Sequence, residues 1–128
     1  MVREVLAVAA GGAMGSLARY ALLLAFSLFG AVWLPMATLV ANLLGCLAIG
    51  FVAQWSVQSH WDEHWVAVGI RIGLLGGLTT YSSFALDALR IWQAERLAVA
   101  AWLVAAHVVL GLAAAAFGIW LARNVLSA

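Results

Sequence analysis

Four long apolar segments, at roughly 4–28, 34–57, 65–92 and 97–122, constrain this chain more than any other feature. Each is long enough to cross a hydrocarbon layer of about 30 Å, for which a helix needs about 20 mostly apolar residues. In lipid every backbone N–H and C=O must find a partner in its own segment or on neighbouring protein, so the segments are expected to be helices. A closed barrel would need short strands of alternating polarity, and the sequence has none. Composition agrees, with 67% of the 128 residues hydrophobic and 9% charged, where soluble domains are roughly 45–50% apolar and about 25% charged. The expected fold is an all-α membrane protein, residues 1–128 forming one domain of four transmembrane helices. No length is left for a catalytic domain, and no Ser/His/Asp arrangement, metal-ligand spacing or phosphate loop occurs, so an enzyme is not expected.

The connections are short. Gly30 lies in the first, and Pro35 suits the first turn of the second helix, where its missing N–H breaks no bond. Gln58-Ser59-His60-Trp61-Asp62-Glu63-His64 forms the polar second connection, and the third centres on Glu95-Arg96. Trp33, Trp55, Trp61, Trp65, Trp92 and Trp120 fall at or near segment ends, the depth at which amphipathic rings rest among headgroups. Arg3 ahead of a short apolar stretch resembles a secretory signal, but Glu4 cancels its charge and the stretch runs on through Gly11-Gly12. It is therefore read as the start of the first span. Cys46 has no second thiol to pair with and is read as a small core residue.

Charge says more about assembly. The six basic residues are scattered arginines, which form no patch able to track a phosphate backbone, so nucleic acid is not an expected partner. Cytoplasmic loops normally carry an excess of Lys and Arg. With four spans, Arg3 and Arg123 share one side and Arg90 and Arg96 the other, while Arg71 and Arg19, just inside spans, keep the balance. A chain without charge bias can insert both ways, and two oppositely oriented copies can pair about an axis in the membrane plane. The expected assembly in the lipid bilayer is an antiparallel, dual-topology homodimer. Close packing has its devices in Gly11 and Gly15, Gly69 and Gly73, and the run Gly111, Ala114, Ala115 and Gly118, because helices in lipid associate through small residues.

Polar groups inside the spans are the candidates for function. Arg19 either snorkels or bonds to carbonyls at a helix end, or it draws anions toward a vestibule. Asn42 shares a helix face with Thr38 and Cys46. Its amide either makes an interhelical hydrogen bond or donates to a dehydrated anion. In Gly76-Gly77-Leu78-Thr79-Thr80-Tyr81-Ser82-Ser83-Phe84, adjacent glycines weaken a helix and the hydroxyls after them compete for its backbone, so the third helix is expected to break near its centre. Freed carbonyls at such a break suit a cation. Tyr81 and Phe84, three apart, either pack together or offer ring edges to an anion. His107, on a face with Gly111 and Ala114, is read as structural.

Three stretches, Gly11-Gly12-Ala13-Met14-Gly15-Ser16-Leu17-Ala18-Arg19-Tyr20, Thr38-Leu39-Val40-Ala41-Asn42-Leu43-Leu44-Gly45 and residues 76–84, closely resemble the Fluc (CrcB-type) fluoride channel family. The resemblance implies a dual-topology dimer in the plasma membrane with two fluoride pores and one structural sodium ion on its axis. By motif position the sodium falls to the carbonyls of Gly76 and Thr79, and the pore to Asn42, Tyr81, Ser82, Ser83 and Phe84. Arg19 and Asp87 match the family's charged positions away from the narrowest part. Two departures stand out: Tyr81 replaces the first of a usual Phe pair, and positions 97–122 lack the Ser and Thr with which the family tends to line its fourth helix. The expected function is passive, selective fluoride export. A small dual-topology multidrug antiporter shares the size and charge balance but needs an intramembrane carboxylate, and a non-transporting assembly subunit would need only the small-residue faces.

Overall fold

The computed structural model describes residues 1–61 and 64–126; Asp62 and Glu63 of the polar connection lie outside the described residues. The molecule is built from helices, with no strand among the described residues. Helix α1 runs Val2–Ser27 and α2 runs Leu34–Gln58. Between them Gly30 takes a φ of 102°, a backbone region that side chains disfavour, and a single 3₁₀ turn, Ala31–Trp33, feeds α2 with Pro35 in its first turn. The last helix, Leu97–Leu126, is longer still. Among the described residues three stretches, Val2–Ser27, Ala31–Gln58 and Leu97–Val125, are long and apolar enough to cross a membrane. The chain is a multi-pass integral membrane protein.

The third apolar segment is two helices. Helix α3, residues 65–78, joins an α-helical turn Trp65–Val68, a π-helical stretch Gly69–Leu75 and a second α-helical turn Gly76–Leu78. Thr79 and Thr80 then leave the helix, at φ −81°, ψ 152° and φ −151°, ψ 115°. Helix α4, Tyr81–Gln93, starts afresh, and Leu97–Leu126 is α5. The glycine pair is not where the backbone opens: Gly76 keeps helical angles of −65° and −36°. Gly77 has a packing role, since a Cβ there would sit 2.6 Å from the Gly12 carbonyl oxygen.

That contact belongs to a seam between α1 and α3. A Cβ on Gly11 would lie 2.5 Å from the Gly69 oxygen, one on Gly73 would lie 2.7 Å from the Val8 oxygen, and one on Gly15 would overlap the Leu74 carbonyl. Backbone meets backbone here, as expected where lipid supplies no hydrophobic drive and helices associate by close approach. Helices α2 and α5 pack likewise, with Gly50 against Ala115 and Gly118 against Leu47 and Phe51. Leu103 and Ala122 on α5 and Ala37 and Ala41 on α2 are fully buried or nearly so. Arg123 Nε donates to Gln54 Oε1 at 3.2 Å, tying α5 to α2 near one end. Trp55, Trp61, His64 and Trp65 pack ring against ring in succession at that end of the bundle, with centroids 5.0 to 5.6 Å apart and only Trp61 and His64 stacked.

Candidate functional site

The two extended residues are held by α2. Asn42 Oδ1 accepts from the Thr80 amide at 2.7 Å, and Asn42 Nδ2 donates to the Thr80 carbonyl at 3.0 Å. One side chain thus satisfies both backbone groups of a residue that has left the helix, where an unpaired group in lipid would cost several kcal/mol. The carboxamide carries two protons on Nδ2, so one remains beyond the bond to Thr80. Gly45, further along α2, admits the Thr79 methyl group, which a Cβ would overlap. One turn before Asn42, Thr38 Oγ1 donates to Asp87 Oδ2 at 3.0 Å. Asp87, expected away from the narrowest part, therefore helps fasten α4 to α2.

The Thr hydroxyls are assigned as well. Thr79 Oγ1 donates to the Leu75 carbonyl at 3.0 Å. Thr80 caps α4, its Oγ1 accepting from the Ser83 amide at 3.2 Å and donating to Ser83 Oγ at 3.1 Å. Ser82 Oγ lies 3.2 Å from the same oxygen. With the Thr80 proton given to Ser83, Ser82 donates to Thr80, and the Ser83 proton is the one left over.

Beside the break lies an open groove of about 420 Å³, whose lining includes Asn42, Gly76, Thr79, Thr80, Tyr81, Phe84 and His107. Five of the sequence candidates meet there: Asn42, Gly76, Thr79, Tyr81 and Phe84. Ser82 and Ser83 stand behind Thr80 and do not line it, nor do Arg19 and Asp87. Tyr81 is 80% exposed and Phe84 9%, with the rings edge-on at 5.6 Å and 67°. The groove's walls are largely apolar, and Asn42, the break, Arg71 and His107 supply polar groups to them. Arg19 sits on α1 with its Nε buried and without a hydrogen-bond partner among the described residues. Cys46 lines the groove instead of filling the core.

Two contributors were not visible in the sequence. His107 stacks on Phe84, centroids 4.2 Å apart, so a residue read as structural stands directly behind a candidate pore ring. The π-helical stretch ends at Leu75, whose carbonyl receives both the amide and the hydroxyl of Thr79. Helices widened in this way often occur at functional sites.

Comparison with known proteins places the chain. Residues 6–119 match the family described as CrcB-like protein, Camphor Resistance (CrcB). The chain belongs to this family. Among its relatives, the fluoride-specific ion channel FluC of Stutzerimonas stutzeri strain A1501 is 42% identical over 123 residues, covering 96% of this chain and 99% of its own. FluC of Paracoccus denitrificans strain Pd 1222 is 40% identical over 126 residues, 98% of each chain. FluC of Caulobacter sp. strain K31 is 39% identical over 127 residues, 97% of this chain and 98% of its own.

Proposed function

We propose that this protein is a fluoride channel of the bacterial plasma membrane, not an enzyme, and that its conducting unit is an antiparallel, dual-topology homodimer. The observation that carries the reading is the break at Thr79-Thr80, set in a groove with an amide proton of Asn42 to spare and two aromatic rings beside it. Fluoride is small and strongly hydrated. A narrow path must replace its water with donors while binding it weakly enough for release. Asn42 supplies an N–H, Tyr81 and Phe84 supply electropositive ring edges, and the hydroxyls of Ser82 and Ser83, outside the groove of the single chain, hold Thr80 in its wall. Helices α3 and α4 together form one interrupted span, since irregular backbone at membrane depth is tolerated where it is buried or lines a cavity.

The dimer reading draws support from what the single chain leaves open. Tyr81 and Gly76 are exposed, and the groove is open along one side. A second copy, oppositely oriented, closes it and places two such paths side by side. Gly76 and Thr79 fit the structural sodium that the family resemblance implies. In an unbroken helix the Thr80 amide would donate to the Gly76 carbonyl, but here it donates to Asn42, which releases that oxygen. Space around Gly76 is open, a Cβ meeting only the Arg71 oxygen at 3.9 Å. The Thr79 carbonyl, at a ψ of 152°, leaves the helical ladder. Two copies offer four hard oxygens to a cation, which would hold the two breaks together across the axis. Arg19 serves as a fixed cation that raises local anion concentration at a vestibule.

An antiporter reading finds less to stand on. Asp87 is bonded to Thr38 and does not line the groove, so among the described residues no carboxylate is offered there for exchange of a proton against an organic cation. The test is efflux of fluoride and of chloride from liposomes holding the purified protein. Fast fluoride loss with negligible chloride loss is expected; comparable chloride flux, or no fluoride flux, overturns the reading.

A further inference from the structure

His107 lies in the groove wall, and none of the fluoride contacts proposed above uses it. Its Nδ1 is 2.9 Å from the Leu103 carbonyl, and because a carbonyl only accepts, Nδ1 carries the hydrogen. In the neutral ring Nε2 is then a bare acceptor, and it is buried with no hydrogen-bond partner among the described residues. Nothing about such a lone pair favours an anion. Protonation changes its sign, giving the ring a positive charge and a second N–H.

What surrounds the ring decides where that charge is compensated. From α2 the titratable group facing the groove is Cys46, from α3 Arg71, and from α4 Tyr81. Asp87, one turn beyond Phe84 on α4, is engaged by Thr38. Helix α5 itself carries no other charged residue between Arg96 and Arg123. No carboxylate lines the groove among the described residues. Since no described side chain lining the groove can offset a protonated His107, the counter-charge assigned to it is an anion in the groove.

The contact that transmits the effect is Phe84, whose ring lies nearly parallel to the imidazole, 28° from coplanar at 4.2 Å. A cation over one aromatic face draws π density toward itself and leaves the ring edge more electropositive, and the edge is the part that meets an anion. We infer that His107 is a proton-sensitive positioning residue which, acting through Phe84, couples its own protonation to occupancy of the groove by a small anion. The inference rests on the channel reading. By linkage it works in both directions: protonation tightens anion binding, and a bound anion tightens proton binding.

The experiment compares the unmodified protein with His107→Gln and His107→Phe in liposomes, across the range of about pH 5.5–8 in which imidazoles change charge. Leak through protein-free liposomes at each pH is subtracted, because hydrogen fluoride crosses lipid unaided. Protein-dependent fluoride efflux is expected to rise several-fold as pH falls for the unmodified chain and to stay flat for both variants, of which His107→Phe keeps the stacked ring. A variant profile that follows the unmodified one, or a flat profile in the unmodified chain, overturns the inference while leaving the channel intact. Absence of protein-dependent fluoride flux at every pH sinks the channel reading and this inference with it. A second measurement needs no variant. The imidazole resonances of His107, followed by NMR on histidine-labelled protein at fixed pH, should change when fluoride replaces gluconate, and unchanged resonances count against the coupling.

Discussion

The α1–α3 seam and the α2–α4 junction solve one problem by opposite means. Along the seam both partners keep helical hydrogen bonds, and association depends on bringing carbonyls against glycines at Gly11, Gly15, Gly73 and Gly77. At the junction the backbone leaves the helix for two residues, Asn42 takes over the bonds lost at Thr80, and Thr38 bonds to Asp87 beside it. A site that selects by size alone can be built from glycine; one that must offer hydrogen bonds to something else cannot. Polar side chains accordingly concentrate where the ion path is proposed and are sparse along the seam.

Substitutions can break or sharpen that contrast. The largest effect is expected for Asn42→Asp, nearly the same shape. Its carboxylate still accepts from the Thr80 amide, but it faces the Thr80 carbonyl without a proton and places a negative charge on the anion path. Losing a buried hydrogen bond and leaving its acceptor unpaired costs about 1–3 kcal/mol, which corresponds to roughly 5–150-fold, and a flux loss of about that size is expected. Fluoride electrode recordings of liposome efflux measure it, and flux equal to the unmodified chain would remove Asn42 from the path. Next comes Gly15→Ala in the seam, expected to destabilise by about 1–3 kcal/mol through overpacking against Leu74. Thermal unfolding in detergent checks this, and in the fraction that stays folded the ratio of fluoride to chloride flux should be unchanged. If selectivity shifts instead, the two regions are not separable.

Thr80→Val removes the cap of α4 and the hydroxyl shared with Ser82 and Ser83, with an expected stability loss of about 1 kcal/mol. A fall in fluoride flux larger than the fall in folded protein would tie that hydroxyl cluster to conduction. Smallest is Tyr81→Phe, which keeps the edge contact to Phe84 and removes one hydroxyl from a ring that is 80% exposed in the single chain. Unfolding temperature should not move, and flux should stay within about twofold, since a solvent-facing substitution is usually worth less than about 0.5 kcal/mol. A large change would mean that the Tyr81 hydroxyl meets the partner subunit or the ion.

Much of this was legible because lipid permits few solutions. Long apolar segments must be helical, and α1, α2 and α5 cover three of them. The sequence also pointed to residues 76–84 as the place where helix geometry fails. Of the two causes read there, the glycines stay helical, while the residues that open are the hydroxyl-bearing Thr79 and Thr80, whose side chains bond to nearby backbone. The partner of Asn42 lies 38 positions away, and nothing local to α2 identifies it. The π-helical stretch Gly69–Leu75 was equally hidden, since bonding to the fifth residue rather than the fourth depends on how α3 packs against α1, not on composition. His107 illustrates the same limit. A lone histidine among alanines, valines and glycines reads as filler until the fold sets it behind Phe84.

Asn42 and Thr80 reproduce a device from a different class of protein. A residue with strand-like angles, paired through both its N–H and its C=O to one amide unit, is one rung of an antiparallel ladder, with a side chain standing in for the neighbouring strand. The two bonds share a single carboxamide plane, so a rotation of either peptide or side chain strains both at once. The rung is held together or released as a unit, and the opening in the helix behaves as a latched element rather than a hinge that yields by degrees.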